Sequence, residues 1–417
     1  MTNNYQEILK KCSRCGGCQA HCPLYAERGR EPYVARGKIE LMENLEANNL
    51  EWNDKLAQIF STCLLCGSCS ENCPNGVEAD KLVRLARKDL VLARGLPIIK
   101  KNVFQHLLKY NGRLKTVGKL LAFYQKSGLQ KIVRGTGILN LMPMDLARKE
   151  SILPSISGRA FRDTVSARNT VENPKLKVAY FTGCITNLVN PQVGISVLEV
   201  LGTHNVEVII PEQYCCGVPA LASGETEVTK FLATENIKYF TNLDVDYIIM
   251  DCATCLSTWL EYPELLESEE AGKLTGKVID INRFLVEILD IKLKPRELGI
   301  MVTYHDPCHL KRTPGGKTSP REVLKGLSPS YEFVEMELAD RCCGSAGSFN
   351  LTHYELSQKV AHHKVEAIKA SKAQIVTSSC PSCIMQLNHS LKNNNIDVEV
   401  KHTIELVADC LKANSLS

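Results

Sequence analysis

The sequence predicts a multidomain fold: an all-α N-terminal domain followed by two homologous α/β domains. Three observations carry this. Two runs of four cysteines near the N-terminus are separated by helical sequence, a five-cysteine pattern occurs twice in the second half, and several later cysteines follow short apolar, β-branched runs. The chain has 417 residues, more than one hydrophobic core organises, so two to three domains are expected.

Residues 1–95 form the first domain. Ala35 to Ala47 places Ile39, Leu41, Met42 and Leu45 near the helical period. Leu82 to Ala93 reads as another helix, with Gly95 suited to its C-terminal cap. Residues 96–175 form a basic helical linker. They carry 15 Lys or Arg against 4 Asp or Glu, a balance of +11; the whole chain stands at +4, so the remainder is near −7. Ile98 to Val133 reads as one or two basic amphipathic helices with Phe104, Leu107, Leu108, Leu120, Leu121 and Phe123 as the apolar face. Pro154, Ser155, Ser157 and Gly158 mark a looser connector. Such a segment fits three roles: lying on an anionic membrane surface, docking an acidic partner, or presenting a solvated helix face.

Residues 176–417 contain an internal repeat. The first copy has Cys184, Cys215-Cys216-Gly217 and Cys252-x-x-Cys255; the second has Cys308, Cys342-Cys343-Gly344 and Cys380-x-x-Cys383. The offsets are 124, 127 and 128 residues. Near-constant offsets predict two homologous domains, 176–299 and 300–417. The runs beginning at Lys177, Tyr247, Ile300 and Gln374 each lead into a cysteine turn. Parallel α/β units follow, with cysteines gathered at the carboxyl ends of strands, where open α/β sheets hold ligands.

The 19 cysteines set the chemistry. A disulfide scaffold belongs to small secreted domains. Here Met1 to Lys11 is polar and lacks the apolar core of a signal peptide, and no run of 18 apolar residues could span a bilayer. The expected location is cytoplasmic, with the inner face of the cell membrane as a peripheral option. Hydrophobic residues at 44% and charged residues at 23% fit a soluble globular protein, and a net charge of +4 is too small to indicate nucleic acid. Reduced, closely spaced thiols are metal ligands.

Cys12, Cys15, Cys18 and Cys22-Pro23 make the first run; Cys63, Cys66, Cys69 and Cys73-Pro74 make the second. This is the bacterial ferredoxin spacing. Three cysteines at two-residue gaps wrap one corner of a [4Fe-4S] cube. The fourth is carried away by its proline and reaches the other cube. The expected ligand sets are Cys12, Cys15, Cys18 and Cys73 on one cluster, and Cys63, Cys66, Cys69 and Cys22 on the other. Zinc would need four thiolates and no trailing Cys-Pro. The 40 residues between the runs look helical, which points to an all-α ferredoxin-like domain.

In each later copy, adjacent cysteines point in different directions, so one turn serves more than one iron. Gly217 and Gly344 are expected to let the backbone approach the metal site. A lone Cys-x-x-Cys in an α/β setting suggests thioredoxin-like chemistry, but five convergent cysteines point to metal. Cys410 reads as an ordinary helix cysteine. His305 and His309 flank Cys308, either tuning a cluster or relaying protons, or serving as satisfied turn residues. Asp306-Pro307 shapes the turn.

No Gly-x-Gly-x-x-Gly follows a predicted strand. Gly315-Gly316-Lys317-Thr318 looks like the end of a phosphate loop, but Lys311 stands where its first glycine belongs. No zinc-protease helix or nucleophile elbow occurs. No flavin or NAD site and no catalytic residue is therefore expected in this chain, and oxidation of a fuel falls to a partner.

The doubled ferredoxin run followed by two Cys-Cys-Gly domains resembles the iron–sulfur subunit of glycolate oxidase and its D-lactate dehydrogenase relatives. It also resembles the fused catalytic subunit of heterodisulfide reductase and the third subunit of anaerobic glycerol-3-phosphate dehydrogenase. The nearest likeness, to the glycolate oxidase subunit, lies in Ala35-Arg36-Gly37-Lys38-Ile39-Glu40-Leu41, in Cys63 to Val77, and in Cys342 to Leu356. The resemblance implies a subunit that takes electrons from a separate FAD-containing 2-hydroxyacid dehydrogenase, acting on glycolate or D-lactate, and passes them to quinone or an electron-transferring flavoprotein. The complete ten-cysteine set implies one or two further clusters, noncubane [4Fe-4S] as in heterodisulfide reductases, and leaves disulfide reduction as the alternative activity.

Overall fold

The computed structural model describes residues 3–141, 146–293 and 296–415. The outer ends of the first and last expected domains, at Met1–Thr2 and Leu416–Ser417, lie outside the described residues.

From Asn3 to Arg94 the described residues form helices and no strand. The two expected helices are Ala35–Glu46 and Ala79–Arg94, the second stopped by Gly95 at φ 72 with its N–H on the Val91 carbonyl. Ile39, Met42, Leu82, Val83 and Ala86 pack with Tyr5, Ile8 and Phe60 in one core, edged by Cys12, Cys18, Cys63, Cys69 and Cys73. Each such buried aliphatic or aromatic side chain contributes about 1.5–3 kcal/mol. Helix Ala35–Glu46 lies directly on the 3-10 turn Glu31–Tyr33, because at Gly37 a Cβ would collide with the Glu31 carbonyl oxygen.

The linker is helical, as expected, but its apolar face is not the expected one. Ile98–Asn102 runs into a π-helical turn, Val103–Leu108, followed by helices Asn111–Lys126 and Leu129–Gly135. Phe104 and Leu108 are buried, whereas Leu120 and Phe123 are 63% and 64% exposed. Helix Asn111–Lys126 turns Gly118 and Ala122 inward, with Gly118 against Leu188. A helix seated on small residues keeps its large ones outside. Ile98 and Ile132 are exposed as well.

Two sheets follow. The first contains β1 (Arg168–Asn169), β2 (Leu176–Phe181), β3 (Val206–Ile209), β4 (Tyr247–Met250) and β5 (Val278–Asp280), in the order β1-β3-β2-β4-β5. The second contains β6 (Ile300–Tyr304), β7 (Tyr331–Phe333), β8 (Ile375–Ser378) and β9 (Glu399–His402), in the order β7-β6-β8-β9. All pairs are parallel except β1 with β3. Short β1, unforeseen in the linker sequence, is held by Arg168 on Glu207 at 2.6 Å. Apart from β1 the two sheets share one strand order, which reverses between β2 and β4 and between β6 and β8. Crevices at the carboxyl ends of those strands are the usual ligand positions. The two α/β units also share an interior: Tyr180 of β2 and Val197 of a helix in the first pack in one core with Tyr304 of β6 and Ile404 and Cys410 of the C-terminal helix in the second. Among the described residues no helix is long and apolar enough to cross a membrane.

Candidate metal centres

Both N-terminal runs coil alike. Arg14 and Gly16 flank Cys15 at positive φ, as Leu65 and Gly67 flank Cys66. These left-handed positions wind the chain tightly enough to bring three sulfurs together. After Cys18 the helix Cys18–His21 ends at Cys22, which is extended, and Pro23 opens a new helix, Pro23–Arg28. That break sends Cys22 away from its own run. Cys12, Cys15, Cys18 and Cys73 line one cavity. Cys22, Cys63 and Cys66 line a second. Cys69 lies on the wall of both.

The donor chemistry fits iron–sulfur clusters. All 19 cysteines are free thiols. Burial pushes the Cys22, Cys66 and Cys69 thiols up, so alone they hold their protons at neutral pH; a bound metal displaces them. The walls are sulfur and apolar carbon with few carboxylates, a soft set suited to iron–sulfur and not to a hard cation. Buried Lys38 donates to the Tyr33 carbonyl at 2.6 Å. Burial lowers its pKa, and the neighbouring Cys63, Cys22 and Cys69 sulfurs oppose that.

In the first Cys-Cys-Gly copy, Cys184 opens a short helix after β2, Cys215-Cys216 follow β3, and Cys252 caps helix Ala253–Leu260 after β4. Tyr262 donates to the Cys216 carbonyl at 2.9 Å and Asn236 to the Cys215 carbonyl at 3.2 Å, fixing the paired-cysteine loop. The second copy repeats this with Cys308 after β6, Cys342-Cys343 after β7, and Cys380 capping helix Pro381–Asn393 after β8. Gly217 and Gly344 have φ of 90 and 86. Their neighbours correct the expectation that they admit a metal: a Cβ would meet Thr229 Cγ2 at 2.8 Å or the Ser357 carbonyl oxygen at 2.6 Å. The glycines turn the loop against a helix. In each copy the sulfurs converge, with Cys184 on Cys215, Cys216 on Cys255, Cys308 on Cys342, and Cys343 on Cys383.

The four thiol sets adjoin one another in succession. Cys66 is pushed up first by burial and next by the neighbouring Cys308 sulfur, so the second cavity adjoins the second copy. Leu24, Leu64, Cys342 and Phe349 pack there, with Cys22 and Cys66 at the edge. The two copies then meet through Cys252 and Cys380, stitched by Ala253 N–H on the Ser379 carbonyl at 3.0 Å and His402 Nε2 on the Asp251 carbonyl at 2.8 Å. The helical region also touches the first copy directly, through Lys81 on Glu264 at 2.6 Å, Arg84 on Glu261, and Arg87 on the Ala222 carbonyl at 2.6 Å, so it is the succession of sulfurs, Cys66 to Cys308 and Cys380 to Cys252, that runs through the second copy, an order the sequence did not reveal. His309 sits at this seam, its Nδ1 3.4 Å from Thr254 Oγ1, which is 3.4 Å from Cys380 Sγ. Burial lowers its pKa to about 4, so it is neutral.

Arg312 was missed by sequence reasoning. It bonds Asp80 at 2.8 Å and the Cys308 carbonyl at 3.1 Å, and it lies directly over Gly67, where a Cβ would overlap its guanidinium. Burial opposes its charge, but Asp80 and the neighbouring Cys308 and Cys66 sulfurs raise its pKa. Arg312→Gln is expected to remove a charge-assisted contact worth about 1.5–3 kcal/mol and to slow reduction of the C-terminal centres at unchanged iron content. Stopped-flow reduction checks this, and an unaltered rate would show that the joint does not depend on Arg312.

Comparison with known proteins matches these regions to known domain families. Residues 8–77 match the 4Fe-4S dicluster domain, 95–153 the linker region of the glycolate oxidase iron–sulfur subunit, and 178–259 and 302–388 the cysteine-rich domain. The chain is 32% identical to the probable glycolate oxidase iron-sulfur subunit of Bacillus subtilis (strain 168), over 96% of this chain and 94% of that one. It is 30% identical to lactate utilization protein A of Macrococcus caseolyticus, over 57% of this chain and 98% of that one. It is 27% identical to a dihydromethanophenazine:CoB–CoM heterodisulfide reductase subunit of Methanosarcina mazei, over 97% of this chain and 94% of that one.

Proposed function

The chain belongs to the glycolate oxidase iron–sulfur subunit family, and on that premise we propose that it relays electrons from an FAD-containing 2-hydroxyacid dehydrogenase subunit, acting on glycolate or D-lactate, to quinone or an electron-transferring flavoprotein. It is an iron–sulfur electron-transfer subunit of an oxidoreductase complex and carries multiple iron–sulfur clusters. When bound, these supply one-electron carriers. The observation behind the relay reading is the succession of neighbouring thiol sets from Cys12 to Cys184.

In this reading Cys12, Cys15, Cys18 and Cys73 hold one [4Fe-4S] cluster, and Cys63, Cys66, Cys69 and Cys22 the other, within an all-α ferredoxin-like domain, 1–95. Cys184, Cys215, Cys216, Cys252 and Cys255 hold a third centre in 176–299. Cys308, Cys342, Cys343, Cys380 and Cys383 hold a fourth in 300–417. The linker, 96–175, docks the flavoprotein partner: exposed Ile98, Leu120, Phe123 and Ile132 stand among its lysines, which suits an acidic surface with apolar pockets. A purely solvated face would not carry them.

Purification of the tagged chain from native cells, with flavin and iron analysis, tests the reading. An FAD-containing subunit should accompany it, and glycolate or D-lactate should bleach its visible absorption. Phe123→Glu with Ile132→Glu should weaken that association at least about tenfold, the loss of roughly one hot-spot contact. If the pair instead abolishes binding to anionic vesicles and spares the partner, the segment is a membrane anchor at the cytoplasmic face. A second reading, disulfide reduction at the C-terminal centres, draws on the complete ten-cysteine set. Flavin-free isolation with spectra that respond to a disulfide substrate would favour it.

A further inference from the structure

The two Cys-Cys-Gly copies offer the same five thiols but different walls. His305 follows β6 three residues before Cys308; the matching residue before Cys184 is Phe181 at the end of β2. The positions are equivalent in the sheets as well as in sequence. Phe181 pairs with Met250, two residues before Cys252. The Ser378 hydroxyl, two residues before Cys380, donates to the His305 carbonyl. Phe181 packs edge-on against Trp259 and near Phe240, in the core that also contains Cys252 and Cys255.

His305 has no such apolar role. It is 1% exposed, and both ring nitrogens are buried with no partner at hydrogen-bond distance among the described residues, though the ring stands close enough to Cys343 to pull that thiol down. One of them and the Cys343 and Cys383 sulfurs all lie within 4.8 Å of one another. A buried polar atom without a partner costs about 1–3 kcal/mol, so the imidazole is placed for something that arrives with the metal. The first copy, with no imidazole at this position, has the same five sulfurs, so the nitrogen is not needed to complete a ligand set. That leaves a role next to the ligands.

We propose that the His305 imidazole donates a hydrogen bond to sulfur at the second Cys-Cys-Gly centre and makes that centre easier to reduce than the first, where Phe181 offers none. A hydrogen bond to a thiolate or sulfide withdraws charge from the site and stabilises its electron-rich state; such bonds are among the factors that set iron–sulfur potentials. The two copies are therefore unequal carriers. The one nearer the helical region, beside Cys66, is the electron sink. His305 is a positioning and tuning residue, and no bond is made or broken at it.

This rests on reading the second copy as an iron–sulfur site, and the test separates the two. The full-length protein, prepared anaerobically, is titrated potentiometrically and followed by electron paramagnetic resonance; loss of one signal in Cys343→Ser identifies the second-copy centre. His305→Phe, which imitates the first copy, should make that centre about tenfold harder to reduce, a 59 mV shift for one electron. His305→Gln retains an N–H and should recover much of the shift. The wild-type protein carrying ¹⁵N-histidine should show weak nitrogen coupling at this centre, a measurement that holds even if His305→Phe loses iron. Retained iron with an unmoved midpoint in His305→Phe overturns the proposal alone. So does a coupling as large as that of a direct iron–nitrogen bond. A wild-type second copy without iron overturns both the proposal and the reading beneath it.

Discussion

Cys343→Ser is expected to empty the second Cys-Cys-Gly centre and to leave both N-terminal centres intact. Cys343 is 3% exposed and sits at the middle of its set: its thiol is pulled down first by Cys342 and then by Cys383. Serine would put a harder oxygen on a shorter arm at that point, and soft iron–sulfur sites disfavour such a ligand. The remaining thiols lose their central neighbour, so the loss is of the centre as a whole. The N-terminal sulfurs line cavities of their own, and most of them edge a separate core, so they should keep their signals. Because the second copy lies between Cys66 and Cys252, the first-copy centre should become slow to reduce even though its own five thiols are untouched. Iron and acid-labile sulfide analysis with resonance spectra checks the first part, and rapid-freeze kinetics the second. Spectra identical to wild type would mean that the second copy holds no cluster.

The features legible in the sequence were those set locally. Cys-x-x-Cys spacing forces a coil that any fold must accommodate, and the Cys-Pro break that turns Cys22 away from its run is written in two adjacent residues. The repeat offsets gave two like sheets because each cysteine turn sits at a strand end, as Met250 before Cys252 and Ser378 before Cys380 illustrate. Longer-range properties were hidden. Leu120 and Phe123 match a helical apolar face by period, but the helix is seated on Gly118 and Ala122, and only the neighbour Leu188 decides that. Gly217 and Gly344 looked like clearance for a metal, whereas positive φ and a helix packed against each loop account for them. The order of the copies depends on contacts such as Cys66 with Cys308, far apart along the chain. Arg312 likewise gains meaning only once Gly67 and Asp80 are seen beneath it.

The end of the succession opposite Cys184 gives the second large effect: Cys12→Ser should remove one N-terminal cubane signal and nearly all turnover with the natural acceptor, while substrate still reduces the partner's flavin. The first cavity is at this end, and its sulfurs are the least sheltered; Cys15 is exposed and Cys12 and Cys18 partly so. Gly16 and Arg36 border the same opening. A carrier near solvent suits exchange with another protein, while the buried Cys-Cys-Gly sets suit passage inside this one. Cys12 follows helix Asn3–Lys10, with its N–H on the Leu9 carbonyl at 3.2 Å, so serine can keep the backbone while changing the ligand. The variant should therefore fold and bind its partner, isolating the effect to one site. Two assays on the purified complex separate the outcomes: flavin bleaching by substrate, expected unchanged, and reduction of the physiological acceptor, expected at background. Loss of the signal with normal acceptor reduction would place the exchange point at the second cavity, where Cys22 and Cys66 already touch the second copy, and would take the first cavity out of the relay.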